Sequence, residues 1–309
     1  MANKKIVVSK NTRRLVMQEN VAAYAFMLPF LLFFVGFVLY PMFMCVYTSF
    51  FDATMGREDI FIGLQNYKDL FQDEVFWVAL RNTMVIVLVS VPVTCAFSLW
   101  VASIISKMPV AATSAFRCIF YLPVVTGSVA VTMVWKWMYN NYYGIFNYIG
   151  TSTGLIDKNI PFLTDGPTWQ MTYTLVGVWQ NMGWGTILYL SAITGINMEL
   201  FEAAKIDGAN KLQQIWHVTL PGIRSTIVVL LILNIGQMMN ISFDRPYILG
   251  NTLVQDYCDV LSTFVYRTGI TNAKFDRATA IGLFQSVVGF IMITAANFVT
   301  KQLGEDGIW

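Results

Sequence analysis

Charged side chains are scarce in this sequence. Asp, Glu, Lys and Arg make up 12% of its 309 residues, and hydrophobic residues make up 56%. Soluble domains carry about 25% charged residues, so this composition excludes an ordinary soluble protein. The formal net charge of +2 is too small to suggest nucleic acid as a partner. We therefore expect an integral membrane protein in contact with the lipid bilayer.

The residues of several catalytic and metal sites are also missing. No Gly-Lys pair occurs, so the loop that cradles ATP phosphates is absent. Any ATP-driven process in which this chain takes part must therefore draw its energy from ATP hydrolysis by another polypeptide. His217 is the only histidine, and the four cysteines, Cys45, Cys95, Cys118 and Cys258, fit neither a disulfide framework nor a metal site. We therefore predict no catalytic residue, no metal site and no cofactor bound by this chain.

Long uncharged runs dominate what is present. A spanning helix needs about 20 mostly apolar residues, and six runs approach or exceed that length. They predict an all-α integral membrane protein with six transmembrane helices. The runs are Val21–Phe51, Asn82–Ser106, Cys118–Trp135, Gly166–Met198, Ser225–Phe243 and Ala278–Thr300.

Basic residues predict the orientation of these runs. The tail 1–20 carries five of them, so it should stay in the cytoplasm, and an even number of spans places the tail 301–309 there too. The predicted division is therefore a cytoplasmic tail 1–20, a six-span domain 21–300 and a cytoplasmic tail 301–309. The segment 244–277 is an exception to the rule that basic loops stay in the cytoplasm. It carries four basic residues, although a count of six spans places it outside.

One polar segment, EAAKIDGANKLQQIWHVTLP (Glu202–Pro221), separates the fourth and fifth runs on the cytoplasmic side. Acids near its start suit a helix N-terminus, and Gly208 permits a sharp turn. Leu212, Ile215 and Trp216 then fall at helical spacing and form an apolar stripe. Two interpretations remain open from the residues alone. The segment rests on lipid headgroups, or it docks into a groove of a cytoplasmic partner.

This segment resembles the EAA loop of binding-protein-dependent (type I) ABC importer permeases. The match consists of Glu202-Ala203-Ala204, three residues, Gly208, nine residues, and Val218 to Pro221, with Val218 where Ile is commoner. The resemblance implies the type I permease fold, with 199–222 as a coupling helix seated in an ATPase subunit. The residues expected to make that contact are Glu202, Ala203, Ala204, Asp207, Gly208, Leu212, Ile215, Trp216, Leu220 and Pro221.

The resemblance extends over roughly residues 20–300. FIGLQNYKDLF (61–71) and RNT (81–83) are similar to the carbohydrate-importing, maltose-permease-like branch. DVLSTFVYRTGI (259–270) and ATAIGLFQSVVGF (278–290) are similar to the importers of oligosaccharides, including those cut from plant and algal polysaccharides. The implied partners are a second homologous permease in a heterodimer, two cytoplasmic ATPases carrying ATP and Mg, and an extracytoplasmic solute-binding protein. The implied location is the bacterial cytoplasmic membrane.

Polar and aromatic side chains inside the runs are candidates for a sugar-binding cavity. Amides bond sugar hydroxyls and aromatic rings stack on the C–H face of a sugar. Hydrogen bonding between helices is an equally good explanation of the same residues. The candidates are Trp179, Asn181, Trp184, Tyr189, Asn234, Gln237 and Asn240.

Rival functions require residues that are hard to find. An importer of an anion such as glycerol phosphate favours cavity cations, and the runs offer only Arg81 and Lys136 at their margins. A polytopic membrane enzyme such as a glycosyltransferase needs paired carboxylates or a metal cluster near a span end, and nothing pairs Asp244 or Asp256. A scaffold protein does not explain the EAA loop.

Overall fold

A computed structural model describes residues 10–52, 59–302, 304 and 307–308. Lys4, Lys5, Arg57 and Trp309, which belong to the predicted tails and first loop, lie outside the described residues.

Helices form nearly all of the regular structure. The elements of the first half are α1 (Lys10–Phe34), a π-helical turn (Val35–Leu39), α2 (Tyr40–Ser49), β1 (Phe51–Asp52), β2 (Ile60–Phe61), α3 (Gln65–Gln72), α4 (Glu74–Ile105), α5 (Val110–Val125), α6 (Ser128–Met138) and α7 (Ile145–Ser152). β1 and β2 pair antiparallel, with Phe51 opposite Phe61. This short ladder is a departure from the predicted all-α architecture.

The second half contains two more long helices and many short ones. Its elements are α8 (Gly166–Thr194), α9 (Met198–Ile206), α10 (Lys211–Gln214), a π-helical turn (Ile215–Thr219), α11 (Leu220–Gly222), α12 (Arg224–Gly236), α13 (Asp244–Leu249), a 3-10 turn (Thr252–Val254), α14 (Gln255–Cys258), α15 (Leu261–Tyr266), a π-helical turn (Arg267–Thr271) and α16 (Phe275–Gln302).

The number of spans is less regular than the six runs predict. Within the described residues, three helical stretches are long and apolar enough to cross a membrane: Ala23–Ser49, Glu74–Ile105 and Phe275–Gln302. Two bent pairs, α5 with α6 and Lys211–Gly222 with α12, raise the number of candidates to five. α8 has 29 residues but is less apolar, because Trp, Gln and Asn lie in its middle. The count of six therefore stays a prediction.

The third run, Cys118–Trp135, is not one straight helix as expected. The axes of α5 and α6 differ in direction by 95°. Pro123 lies in the last turn of α5, and Thr126 after it has extended backbone (φ −72°, ψ 134°). Proline weakens the helical hydrogen-bond ladder, and the extended residue ends it. The prediction of a continuous third span is therefore wrong in its geometry.

The uncharged helix α8 lies at the centre of the core. α4 and α5 pack against it, and α12 packs against α16. Trp169 and Tyr189, near the two ends of α8, are almost completely buried. Large buried side chains at both ends of α8 pack against the neighbouring helices, so α8 is the helix against which the others are positioned.

The RNT stretch clamps a distant turn. Asn82 Nδ2 donates hydrogen bonds to the carbonyl oxygens of Asp256 (2.8 Å) and Asp259 (3.0 Å). Thr83 Oγ1 accepts a hydrogen bond from Leu261 N at 3.0 Å. Arg81 Nη2 also donates to the Asp256 carbonyl oxygen. These bonds satisfy backbone groups of Asp256, Asp259 and Leu261, where α14 leads into α15, which explains structurally why these residue types stand at the start of the second span.

Loops that the orientation argument assigns to one side do meet. Arg277 and Asp69 form an ion pair at 2.7 Å, which joins the start of α16 to α3. On the other side, Lys107 Nζ donates to the Lys211 carbonyl oxygen at 3.0 Å. Lys107 follows the C-terminal end of α4, whereas the RNT clamp lies near the N-terminal end of α4. The Lys107 contact and the clamp are therefore separated by most of this 32-residue helix.

We expect Asn82→Ala to lower the thermal unfolding midpoint of the purified chain. Removing the amide leaves the buried Asp259 carbonyl oxygen without its side-chain donor, which costs about 1–3 kcal/mol, whereas the Asp256 carbonyl oxygen keeps its bond from Arg81. Asn159→Ala is the matched control, because Asn159 is exposed and donates one bond, to the Asn141 carbonyl oxygen. Equal midpoints for the two variants would contradict the clamp.

Candidate functional site

The polar segment 199–222 folds as two short helices joined at Gly208. Gly208 has φ +80°, which is the left-handed region, and a Cβ placed there would meet nothing within 4 Å. The turn is closed by a hydrogen bond from Ala209 N to the Ala204 carbonyl oxygen at 2.9 Å. The need for glycine at this position therefore comes from the backbone conformation of the chain itself.

Asparagine caps begin both helices of this segment. The Asn197 side chain accepts a hydrogen bond from Glu199 N at 3.0 Å at the start of α9. Asn210 and Gln213 form a reciprocal capping box at the start of α10, with bonds of 2.9 and 2.8 Å. These caps satisfy amide groups that a helix N-terminus leaves free, so local hydrogen bonds stabilise the first turn of both short helices.

The segment presents large apolar side chains to its surroundings. Leu212 and Trp216 are 64% and 63% exposed, and Ile206 is 87% exposed. Ile215 differs from the predicted stripe, since it is half-buried. A π-helical turn begins at Ile215, and Leu212 and Trp216 are the exposed members of the predicted stripe.

The other predicted contact residues vary in exposure. Glu202, Ala203, Asp207 and Pro221 are exposed, and Ala204 and Leu220 are half-buried. Gln214 is buried, although no pattern singled it out, and its Nε2 donates to the Ala209 carbonyl oxygen at 3.0 Å. Its amide thus holds the second helix against the turn after Gly208.

Cations surround the base of this segment. Burial lowers the pKa of the Lys107 ammonium, and the nearby Lys211 and Lys205 lower it further by repulsion. Because Lys107 also donates to the Lys211 carbonyl oxygen, it ties the connection between α4 and α5 to the polar segment. Lys107, Lys205 and Lys211 therefore form one basic cluster.

The candidates on α8 lie in different environments. Trp179 packs edge-on against Trp135 with ring centroids 5.2 Å apart, and Trp184 stacks with Tyr121 at 6.5 Å. Asn181 is exposed, and its side chain donates to a carbonyl oxygen of its own helix. Tyr189 is 1% exposed and belongs to a core cluster, so it packs in the interior instead of lining an open surface.

The three amides of the fifth run do not lie along one helix as expected. α12 ends at Gly236, and Gln237 is its C-terminal cap. Asn234 is therefore on the helix, and Gln237 and Asn240 are on the irregular segment that follows. All three side chains are exposed. The helical spacing argument is wrong, but the amides remain available to a ligand.

The sequence argument missed a buried cation. Arg245 was assigned to an outer loop because Asp244 and Arg245 end the uncharged run, yet it is 8% exposed and bonded to α8. Lys136, expected at the membrane interface, donates to the Ile248 carbonyl oxygen at 2.6 Å. The apolar residues around Arg245 in α13 were a signal that the helical structure resumes there.

These features define a helical, multi-span membrane protein that presents a polar two-helix segment with exposed apolar side chains. The chain belongs to the family described as binding-protein-dependent transport system inner membrane component, whose model matches residues 19–303. It is therefore a transport component and not an enzyme. Members of this family work with a binding protein and an ATPase.

Similar proteins cover nearly the whole chain. Protein LplB of Bacillus subtilis (strain 168) is 32% identical over 291 residues, which cover 93% of this chain and 90% of that protein. The polygalacturonan/rhamnogalacturonan transport system permease protein YteP of the same organism is 32% identical over 292 residues, covering 93% and 89%.

The fold also resembles a solved transporter. A chain in the crystal structure of a bacterial alginate ABC transporter, in complex with an alginate pentasaccharide-bound periplasmic protein, matches with a TM-score of 0.84. The two chains are 29% identical, and the match covers 94% of this chain and 98% of that one. The type I permease fold expected from the resemblance is thereby confirmed.

We expect Asn210→Ala to increase hydrogen exchange at the start of α10 by roughly 2- to 30-fold, because a lost cap costs about 0.5–2 kcal/mol. Hydrogen exchange with mass spectrometry across 205–220 measures this. Asn197→Ala is the matched control, since it removes the cap of α9 and should raise exchange near Glu199 only. Unchanged exchange around Gln213 would contradict the capping box.

Proposed function

We propose that this chain is a transmembrane permease subunit of an ABC importer that translocates an oligosaccharide across the bacterial cytoplasmic membrane. The observation that carries the proposal is the polar two-helix segment 199–222, with its left-handed glycine and its exposed Leu212 and Trp216. Family membership supports it, as do relatives whose names mention polygalacturonan, rhamnogalacturonan and alginate.

The proposed topology has six spans, with both termini and the segment 199–222 in the cytoplasm. The α4–α5 connection contacts this segment through Lys107, which two loops can do only on the same side of the membrane. The loops 52–76 and 244–277 are joined by the Asp69–Arg277 ion pair, and both are assigned to the outside. The structure thus supports grouping the basic segment 244–277 with the acidic first loop.

The proposed assembly contains a second homologous permease, two cytoplasmic ATPases and an extracytoplasmic solute-binding protein. ATP and Mg are held by the ATPases. Closure of the ATPases pulls the two coupling segments together, and this movement turns the cavity between the permeases outward to receive the sugar. The exposed apolar side chains Leu212 and Trp216 are then buried in the ATPase groove, which offsets the cost of exposing them in this chain.

The proposed sugar path runs along the exposed amides of the fifth run. Asn234, Gln237 and Asn240 supply hydrogen bonds to hydroxyl groups, and Trp179 and Trp184 supply ring faces. The irregular backbone at 237–243 favours this placement, because non-helical backbone in a membrane is tolerated where it lines a cavity.

We expect Gly208→Asp to insert normally but to bind its ATPases weakly and lose transport. A side chain in the left-handed conformation costs up to about 1–2 kcal/mol, an aspartate less than most, and the aspartate adds a negative charge at the docking surface. Co-purification of the ATPases, with transport measured on the same cells, tests this.

Gly154→Asp is the control for this variant, because Gly154 also has a left-handed backbone (φ +71°) in open space but lies in the loop 140–165. It should co-purify and transport like the parent. A segment that rests on the membrane surface predicts normal values for Gly208→Asp too, and that outcome would end the coupling proposal.

We expect Gln237→Leu to reduce transport and sugar-stimulated ATP hydrolysis while the assembled complex stays intact, because it removes a hydrogen-bonding amide from the cavity wall. Gln72→Leu, an equally exposed amide at the end of α3, is the matched control. If transport survives replacement of Asn234, Gln237 and Asn240 singly and together, these side chains do not contact the sugar.

A further inference from the structure

Arg245 is a buried cation at the junction of α6, α8 and α13. Its Nη2 donates to Gln180 Oε1 at 2.7 Å, and its guanidinium carbon lies 5.2 Å from the Tyr173 ring centroid. Its Nε finds no hydrogen-bond partner among the described residues. A buried charge inside a membrane domain is costly unless an anion or a complete set of acceptors surrounds it.

The site around Arg245 is built to hold this side chain. A Cβ on Gly177 would lie 2.6 Å from Arg245 Nη1, so the absence of a side chain at Gly177 makes the room for the guanidinium. Tyr173, Gly177 and Gln180 follow at helical spacing, and α8 therefore presents one face to Arg245. The arrangement is a specific pocket and not a side chain that is trapped by chance.

A second cation, Lys136 of α6, contacts the same short helix α13. Its Nζ donates to the carbonyl oxygen of Ile248, three residues after Arg245, and the Lys136 side chain is exposed. The ion pairs Asp259–Arg267 and Asp69–Arg277 involve neither residue, and no carboxylate of the described residues is paired with Arg245 or Lys136. Among the described residues, the junction therefore carries two positive charges without a paired carboxylate.

A carboxylate is the ligand that completes this arrangement. Guanidinium groups bind carboxylates through two parallel hydrogen bonds, which neutral amides cannot reproduce. Gln180 now occupies one donor of Arg245 with a neutral oxygen, and Nε remains free for another acceptor. A neutral sugar would satisfy donors but leave the buried charge of Arg245 uncompensated.

We infer that Arg245, Lys136 and Gln180 form a carboxylate-binding subsite for an acidic oligosaccharide, one that contains uronic acid units. The inference rests on the proposed function, because it names the substrate class of that importer. Lys136 is the exposed member of the subsite, and Arg245 is its buried member. The carboxylate displaces Gln180 from Nη2 and takes the free Nε as its second donor.

The test uses the complete complex in proteoliposomes with its own binding protein. ATP-driven uptake is measured for trigalacturonate, for trimannuronate and for the fully methyl-esterified trigalacturonate, which has the same rings without the charge. We expect uptake of an acidic trimer by the parent complex. Arg245→Gln should reduce that uptake about tenfold or more and change uptake of the ester little, because only the charge-assisted bonds are lost. Arg245→Lys should retain part of the acidic uptake.

A matched pair separates a binding role from a general effect of charge. Lys136→Gln should raise the KM for the acidic trimer, whereas Lys158→Gln, at an exposed lysine in the loop 140–165, should not. The thermal unfolding midpoint of each variant complex shows whether it folds. If Arg245→Gln fails to assemble, the KM values of the Arg245→Lys and Lys136→Gln complexes decide the question.

Three outcomes would overturn the subsite. One is an equal fall in acidic and esterified uptake in Arg245→Gln. Another is a parent complex that transports neutral oligosaccharides and neither acidic trimer, which leaves the proposed importer standing. The third is uptake of glycerol 3-phosphate in place of the trimers. Failure of the importer proposal looks different, because the parent complex would then show no ATP-driven uptake of any oligosaccharide.

Discussion

Buried backbone groups must find hydrogen-bond partners within the protein, and this requirement governs the breaks between the short helices after α12. Where α13 ends, Lys136 donates to the Ile248 carbonyl oxygen and Trp169 Nε1 donates to that of Leu249 at 3.0 Å. Where α14 ends, Asn82 donates to two further carbonyl groups. The same bonds that satisfy the backbone therefore fix α4, α6 and α8 against the segment after α12.

This anchoring gives the segment after α12 two distinct parts. α13 is held to α6 and α8 by side-chain bonds, and its Arg245 faces α8. The irregular stretch 237–243 before it keeps Gln237 and Asn240 exposed. A continuous helix would have satisfied its own backbone and given no reason for Lys136 or Trp169 to reach across. The break thus leaves these polar side chains exposed.

The segment 199–222 follows the opposite rule, because water is available to its polar groups. Its helices are too short to be stable alone, and caps at Asn197 and Asn210 together with the buried Gln214 amide stabilise them locally. Gly208 sets the angle between them, and Lys107 attaches them to the end of α4. Apolar side chains left exposed by such a rigid element suit a protein groove, where their burial contributes binding free energy.

The sequence by itself determined the membrane class, the family and the polar segment, because composition and the spacing of Gly208 and Pro221 are local properties of the chain. It also predicted the amides of the fifth run, although not their geometry, because α12 ends at Gly236. The third run is likewise interrupted, at Pro123, where hydropathy alone shows a continuous helix. Only the tertiary structure decided that Tyr189 is in the core and that Arg245 is buried against Gly177 and Gln180. Those contacts join residues about 65 positions apart, and no local pattern encodes the burial of a charge that a distant glycine makes room for.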